Sequence, residues 1–488
     1  MSMFFRMNEL GNDSARSSGR GKWLAQLLNR YHYAAALIDQ VGLSLFNLAL
    51  TFCLVRVLDA NEFGFVSLWL TVAVLLSDMQ VPLVGLPLNV HLPRAPDEAA
   101  KSRLEGAITA VNFAFVTLAV VAVVAANLFC DGSWVARGWV TGTAIPLCIA
   151  VGLRREYCRS LAYCRGDMTM LLLTDIPYIV VTSACLLAML LWPHHLAGVA
   201  EAFIALSAGG IIGQLCLRAA ARWRQPSLGR EGWVAAYRNI LPEVGWALIG
   251  VVSTHLQVRS YVYLTTSLVG LAGVAALNAV GVLFRPISTL LTAWSRPTLP
   301  KLAAALAKGN FIAFDRMILT GMAVAAVGSA GWCAVLWLIW APIEIYVLGD
   351  KYPDAGRLLL PWAIVTCVVA LDQVASVALQ AARDFRFLAY VTLISAPVTI
   401  VATVGTILWQ GYTWAMYGVA IGQVLGLVMV VGRLYSIRRL EGSACPAQAR
   451  TWKVEITPAE EADGTTSIAS LREDASGPDT LAARLPGR

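Results

Sequence analysis

The chain has 488 residues, is 58% hydrophobic and only 14% charged, and has a mean hydropathy of +0.66. Soluble globular chains carry about 25% charged residues, so this composition excludes a water-soluble fold and points to an all-α polytopic membrane protein. The net charge of +7 would suit a nucleic-acid partner only if the basic residues formed a patch, and they do not.

Residues 1–33 are polar and basic, with Arg6, Arg16, Arg20, Lys22 and Arg30, and lack the short apolar core and cleavage site of a signal peptide. Residues 34–56 are long enough for a helix to cross a bilayer, which takes roughly 20 residues at about 1.5 Å each. Gln40, Ser44, Asn47 and Thr51 lie at i, i+4, i+7 and i+11, so they line one face, with Asp39 beside it. Lipid cannot hydrogen-bond to such a stripe, which predicts that it faces other helices or a wet cavity. Interhelical glue is the alternative for each residue taken singly. Further apolar runs at 65–92, 106–128, 138–153, 169–192, 196–217, 241–263, 268–290, 318–341, 357–380, 387–409 and 413–435 bring the predicted spans to about twelve.

The longest internal polar connection, 218–240, falls after six of them. The expected architecture is therefore two six-helix lobes, 34–217 and 241–437, joined by a linker and followed by a disordered polar tail, 438–488. The seventh helix repeats the pattern of the first, with Glu243, Gly250, Thr254, Gln257 and Tyr261 on one face and His255 and Arg259 on a neighbouring one. A fainter echo aligns Glu62–Leu68 with Leu271–Leu277, which share a glycine and a leucine.

The N-terminus, alternate loops and tail hold 32 of the 37 Lys and Arg. The positive-inside rule then predicts a multi-pass membrane protein with both termini cytoplasmic. These residues orient helices and make no nucleic-acid domain. The opposite loops are short, the longest being Ala341–Gly356. That argues against a membrane polymerase or glycosyltransferase, whose chemistry needs an outer domain.

No Walker A, HExxH or GxSxG motif is present, and the ten cysteines are scattered without CxxC pairs or metal-like spacing, so neither an enzyme nor a metal or cofactor site is expected. Ionisable residues within spans are the better lead, because burying each costs about 2.5–3.5 kcal/mol on insertion scales. They are Asp39, Asp78, Asp175, Glu201, Glu243, His255, Arg259, Arg285 and Asp372. Asp175, just before Pro177, is expected to satisfy a broken turn, and Glu201 to suit a helix start. Arg259 and Arg285 are suited to a pyrophosphate. Asp39, Glu243 and Asp372 are candidates for a coupling H+ or Na+, Asp372 being followed by Gln373, Ser376 and Gln380 at helical spacing. Arg296–Lys301 predicts a helix break before a short amphipathic surface helix, and Arg154, Arg155, Arg159 and Arg165 read as basic anchors near anionic lipid.

The run Val55-Arg-Val-Leu-Asp-Ala-Asn-Glu-Phe-Gly64 resembles the end of the first helix in Wzx-type polysaccharide flippases of the MOP (multidrug/oligosaccharidyl-lipid/polysaccharide) exporter superfamily, with Arg56, Glu62 and Gly64 matching and Val55, Asp59 and Ala60 departing. Arg296-Pro-Thr-Leu-Pro-Lys-Leu, Val347-Leu-Gly-Asp-Lys-Tyr and Gln380-Ala-Ala-Arg383 add echoes in the family's order over about 400 residues. The resemblance implies a V-shaped pair of bundles around a central cavity lined by the first, second, seventh and eighth helices. It also implies ion-coupled alternating access, undecaprenyl-diphosphate-linked oligosaccharide as substrate, exopolysaccharide or O-antigen biosynthesis as setting, and a polymerase and co-polymerase as partners. Asp39, Gln40, Ser44, Asn47, Thr51, Glu243, Thr254, Gln257, Arg259 and Arg285 are the expected cavity residues. A multidrug or peptidoglycan-precursor exporter of the same superfamily is the alternative.

Overall fold

The computed structural model describes residue 39 and residues 41–443, except 93–96, 130–134, 136–137, 192–197, 221–236, 239 and 383. The chain forms one compact body through Ser436 and a second unit from Ile437 onward. The described residues hold twelve long helices. In the first lobe they are α1 (Val41–Val57), α2 (Ala60–Gln80, continued in wider turns to His91), α3 (Glu98–Phe129), α4 (Trp139–Arg165), α5 (Met168–Leu191) and α6 (Gly198–Ala219). In the second they are α7 (Leu241–Leu268), α8 (Leu271–Gly281, continued through Val282–Phe284 to Ala307), α9 (Phe311–Leu338), α10 (Ala355–Ala381), α11 (Phe385–Gln410) and α12 (Ala415–Ser443).

Nine of these are long and apolar enough to cross a membrane. The described part of α1 is shorter, and α4 and α7 are interrupted by charged and polar residues. The chain is thus the expected all-α polytopic protein. Among the described residues, His91, Glu105, Arg165 and Glu243 come together at one end of the bundle, called here the basic end, and the α1–α2 turn meets Lys351 at the other, the charge-poor end.

Each lobe is closed by its last two helices in the same way. Cβ atoms on Gly209 and Gly213 of α6 would collide with α5 at Tyr178, Thr182 and Thr174, and Cβ atoms on Gly418 and Gly422 of α12 would collide with α11 at Thr403 and Thr399. A glycine every fourth residue lets two backbones approach without a hydrophobic drive between them, the packing that lipid favours. The repeat is structural rather than legible, because the two lobes share almost no residues in register.

Two local expectations fail. The chain does not break at Arg296–Lys301, since helix runs on from Arg285 to Ala307. Two prolines remove two N–H donors there, but packing of Leu302 and Ala305 on Phe314, Val377 and Ala378 outweighs that loss. Nor is there a turn at Asp175, because α5 passes through Pro177 unbroken.

The lobes meet chiefly where α2 packs on α7 and α8. At the charge-poor end, a tight turn links α1 to α2: the Asp59 carboxylate accepts from the Glu62 N–H (2.8 Å), and Glu62 accepts from the Asp59 N–H (3.1 Å). This capping box satisfies two orphan donors and fixes where α2 starts. Gly64, one turn on, then lies flat against the Leu271 carbonyl at the start of α8.

Candidate functional site

Between the lobes, Thr51 of the polar stripe of α1 meets α8. Ser44 is half-buried, Asn47 is exposed, and Thr51 donates to the Asn47 carbonyl at 2.8 Å. Gln40 lies outside the described residues. Arg285, exposed at the point where α8 changes winding, donates from Nη1 to Thr51 Oγ1 across the gap at 3.3 Å. Arg259 of α7 is its electrostatic neighbour, and the Tyr261 hydroxyl lies beside both guanidinium groups while donating to Asn278 Oδ1 at 2.8 Å. Among the described residues no carboxylate forms an ion pair with either arginine. Two guanidinium groups that act on each other and have no ion-paired carboxylate among the described residues carry the chemistry to take an anion.

The other expected cavity residues are placed elsewhere. Asp39 is buried inside the first lobe, where Arg159 Nη2 donates to its Oδ2 at 3.3 Å. Gln257 is buried in the second lobe against Gly426 of α12, while Thr254 is exposed and turned back on the Gly250 carbonyl. Glu243 sits in the first turn of α7 at the basic end, its Oε2 3.1 Å from His91 Nε2. Asp372 lies within the second lobe beside Ser376, with its Oδ1 buried and lacking a hydrogen-bond partner. A stripe on one helix face is thus divided among three neighbours, which helical periodicity alone cannot foresee.

Four charges that cancel organise the first lobe. Arg155 Nε donates to Asp175 Oδ1 at 2.8 Å, and Arg159 Nε stands 3.4 Å from Asp175 Oδ2 while Arg159 also reaches Asp39. Arg155 lies over the Tyr178 ring, 3.7 Å from its centroid. Arg155 and Arg159 are therefore not surface anchors. They cross-link α4, α5 and the start of α1 from the inside, which is why α4 continues to Arg165. Arg165 pairs with Glu105 of α3 at the basic end.

Two further contacts hold the charge-poor end shut. Lys351 Nζ donates to the carbonyls of Arg56 and Leu58, each at 2.8 Å, and stands 3.4 Å from that of Val55, capping the C-terminal end of α1. Arg56 Nη1 returns a bond to the Tyr346 carbonyl at 3.0 Å. Burial, followed by the nearby Arg56, lowers the pKa of the Lys351 ammonium below its ordinary value. Lys351 sits in the Val347–Tyr352 run, and what the sequence lacks is any sign that its partner is a helix end in the other lobe.

Apolar crevices line the outside of both lobes. One of about 440 Å³ lies where α2 and α3 meet α7, between Trp69, Leu76, Ala122 and Tyr263. Another of about 290 Å³ lies between α8 and α9 beside Trp294.

No protein-family model matches this chain, and no curated protein matches its sequence. Solved structures do match its fold. An inward-facing multidrug resistance MATE family transporter of the MOP superfamily superposes with a TM-score of 0.66 at 14% identity, covering 82% of this chain and 96% of that one. The lipid II flippase MurJ in an inward closed conformation superposes with a TM-score of 0.64 at 10% identity, covering 84% and 87%. An outward-facing MATE family transporter gives 0.56 at 16% identity, covering 85% and 96%. The chain therefore has the fold shared by MATE transporters and this flippase.

Proposed function

We propose that this chain flips lipid-linked oligosaccharide repeat units across the inner membrane, from the cytoplasmic to the outer leaflet, for exopolysaccharide or O-antigen synthesis. The observation that carries this reading is Arg285, which reaches Thr51 across the lobe seam, together with its electrostatic neighbour Arg259, neither of them ion-paired to a carboxylate among the described residues. A diphosphate joining prenyl chain to sugar is the anion such a pair takes, in bidentate fashion. The hydroxyl and amide groups of Thr51, Asn47 and Asn278 suit a sugar, and the crevice beside Tyr263 offers the prenyl chain an apolar path at the seam.

The basic end of the bundle is cytoplasmic in this reading, with both termini there. The contacts of Lys351, Arg56 and Gly64 then close the outer end, in keeping with the better superposition on an inward-facing MATE transporter than on an outward-facing one. Alternating access would part those contacts and hand the unit to a polysaccharide polymerase and its co-polymerase. An ion gradient, of H+ or Na+, drives the cycle. Asp39 is already balanced by Arg159, so a cation there would have to displace a guanidinium, whereas Asp372 keeps an unpartnered oxygen. No group with the geometry of a catalytic site is needed for this task.

Multidrug export is the second reading, favoured by the MATE likeness. Two adjacent unpaired guanidinium groups repel cationic drugs, and that weighs against it. The two readings separate in a binding experiment on the full chain in nanodiscs. A lost charge-assisted hydrogen bond is worth about 1.5–3 kcal/mol, so Arg259→Ala or Arg285→Ala should weaken undecaprenyl-diphosphate binding about 10- to 150-fold. Unchanged affinity for the diphosphate lipid in both variants would remove the anchor of the flippase reading.

A further inference from the structure

We infer that α2 and α7 are joined by a proton-operated clasp of two reciprocal rungs, Asp78–His255 and His91–Glu243, and that the proton is the ion bound at this lobe interface. Of the five histidines in the chain, the two among the described residues each face a carboxylate of the other lobe. His255 Nδ1 lies 3.1 Å from Asp78 Oδ2, and His91 Nε2 lies 3.1 Å from Glu243 Oε2. The arrangement is reciprocal, since α2 supplies the acid of the first rung and the base of the second. The spacing also fits. Asp78 to His91 is thirteen residues and Glu243 to His255 twelve, so two antiparallel helices in contact bring both pairs into register.

Each side of the clasp is anchored in its own lobe. Gln80, two residues from Asp78, donates to Asn112 Oδ1 (2.6 Å) and to the Leu153 carbonyl (2.9 Å), tying α2 to α3 and α4. On the other side, α7 packs along α11. Immediately after Gln80 the turns of α2 widen over Val81–Gly85 and Pro87–His91, with prolines at 82 and 87. Widened turns of this kind mark places where a helix is re-aimed, and here they separate the two rungs.

The protonation chemistry follows from the hydrogen bonds. With neutral imidazole, His255 Nδ1–H donates to Asp78 and Nε2 accepts from the Tyr263 hydroxyl, 3.1 Å away. A second proton makes Nε2 a donor to the Tyr263 oxygen and turns the neutral bond to Asp78 into an ion pair. At the other rung, protonating His91 likewise places a positive charge against Glu243. Both events add attraction across the seam, so linkage favours the clasped arrangement as pH falls and weakens it as pH rises.

The charged and titratable groups around the clasp are few. Arg259 stands one turn beyond His255 and acts, with Asp78, on Tyr263. α8 contributes no titratable group to Leu271–Gly281. From α11, Tyr390 is edge-stacked on Trp246, more than two turns from His255, and Arg386 lies a further turn toward the basic end. In the first lobe, Glu105 of α3 is engaged with Arg165 and Tyr157 of α4 with Thr109, while Cys164 of α4 donates to the Leu88 carbonyl and Tyr237, before α7, to the Leu83 carbonyl. The two histidines are thus the imidazoles at this seam, the side-chain type whose charge is most sensitive to physiological pH. A role in energy coupling rests on the alternating-access reading, whereas the pH response of the seam does not.

The test is hydrogen–deuterium exchange of the full chain in nanodiscs, corrected for the pH dependence of intrinsic exchange. Between about pH 8 and about pH 6, protection of 78–91 and 243–255 should rise several-fold, with 168–219 in the first lobe unchanged. His255→Gln should flatten the response over both segments' upper rung, 78–84 and 250–255, and His91→Gln should flatten it near 87–91 and 243. Asp78→Asn, a change at a side chain 45% exposed, serves as a second variant if the buried His255 substitution disturbs folding. A wild-type seam with no pH response, or an undiminished response in His255→Gln and Asp78→Asn, overturns the clasp. The readout needs no substrate, so the clasp and the flippase reading fail separately.

Discussion

Replacing Asp175 by alanine should destabilise the protein by about 3–5 kcal/mol, the cost of leaving buried charge without its partner. Asp175 is fully buried and receives both Arg155 and Arg159, so its removal strands two guanidinium groups between α4 and α5 with only Asp39 left. The expected result is a marked fall in the thermal unfolding midpoint in detergent and loss of most of the protein from the membrane fraction. The double change Asp175→Leu with Arg155→Met should recover part of the loss, because an apolar pair of similar volume replaces buried charges at little cost. A midpoint unaltered by Asp175→Ala would mean that the four-charge cluster does not hold the first lobe together.

Gly64→Ala should open the outer end of the seam. A Cβ there would overlap the Leu271 carbonyl and stand 2.6 Å from its carbon, and these are backbone atoms with no rotamer to give way. Overpacking of this kind costs about 1–3 kcal/mol, which moves an equilibrium between joined and parted lobes by about 5- to 150-fold. Exchange protection over the first turns of α2 and α8 should fall accordingly, and the transport proposed above should fail, with the close packing of α5 on α6 and of α11 on α12 unchanged. Ala60→Ser, four residues earlier, serves as the control. Retained protection and retained transport in Gly64→Ala would show that close contact of α2 with α8 is dispensable.

Gly64 also shows what could be read from the sequence. The acidic turn from Asp59 to Glu62 and the glycine after it stand out as a pattern, and they prove to be a capping box and a point of backbone contact between lobes. The all-helical, multi-span character follows from hydropathy, because bilayer thickness sets element length with little interference from tertiary contacts. The first lobe's ion cluster was hidden for the opposite reason, since it depends on pairing between distant residues. Arg155 and Arg159 look like the basic end of a short fourth span, and only their pairing with Asp175 and Asp39 lets the helix continue. Arg259 and Arg285 could be picked out as charges needing a reason within spans, and the structure brings them together. Glu243 and Gln257 share a face with Thr254 but point to the basic end and to α12, because helical spacing says which residues share a side and nothing of what covers it.

The measurement closest to the central claim uses a strain lacking this chain. Lipid-linked oligosaccharide should accumulate on the cytoplasmic face of its inner membrane. Wild-type protein should clear it, and Arg259→Ala combined with Arg285→Ala, at equal protein level, should not. Full-length polymer at the cell surface with no accumulated intermediate, in a strain without a second carrier, would contradict the assignment of oligosaccharide flipping to this chain.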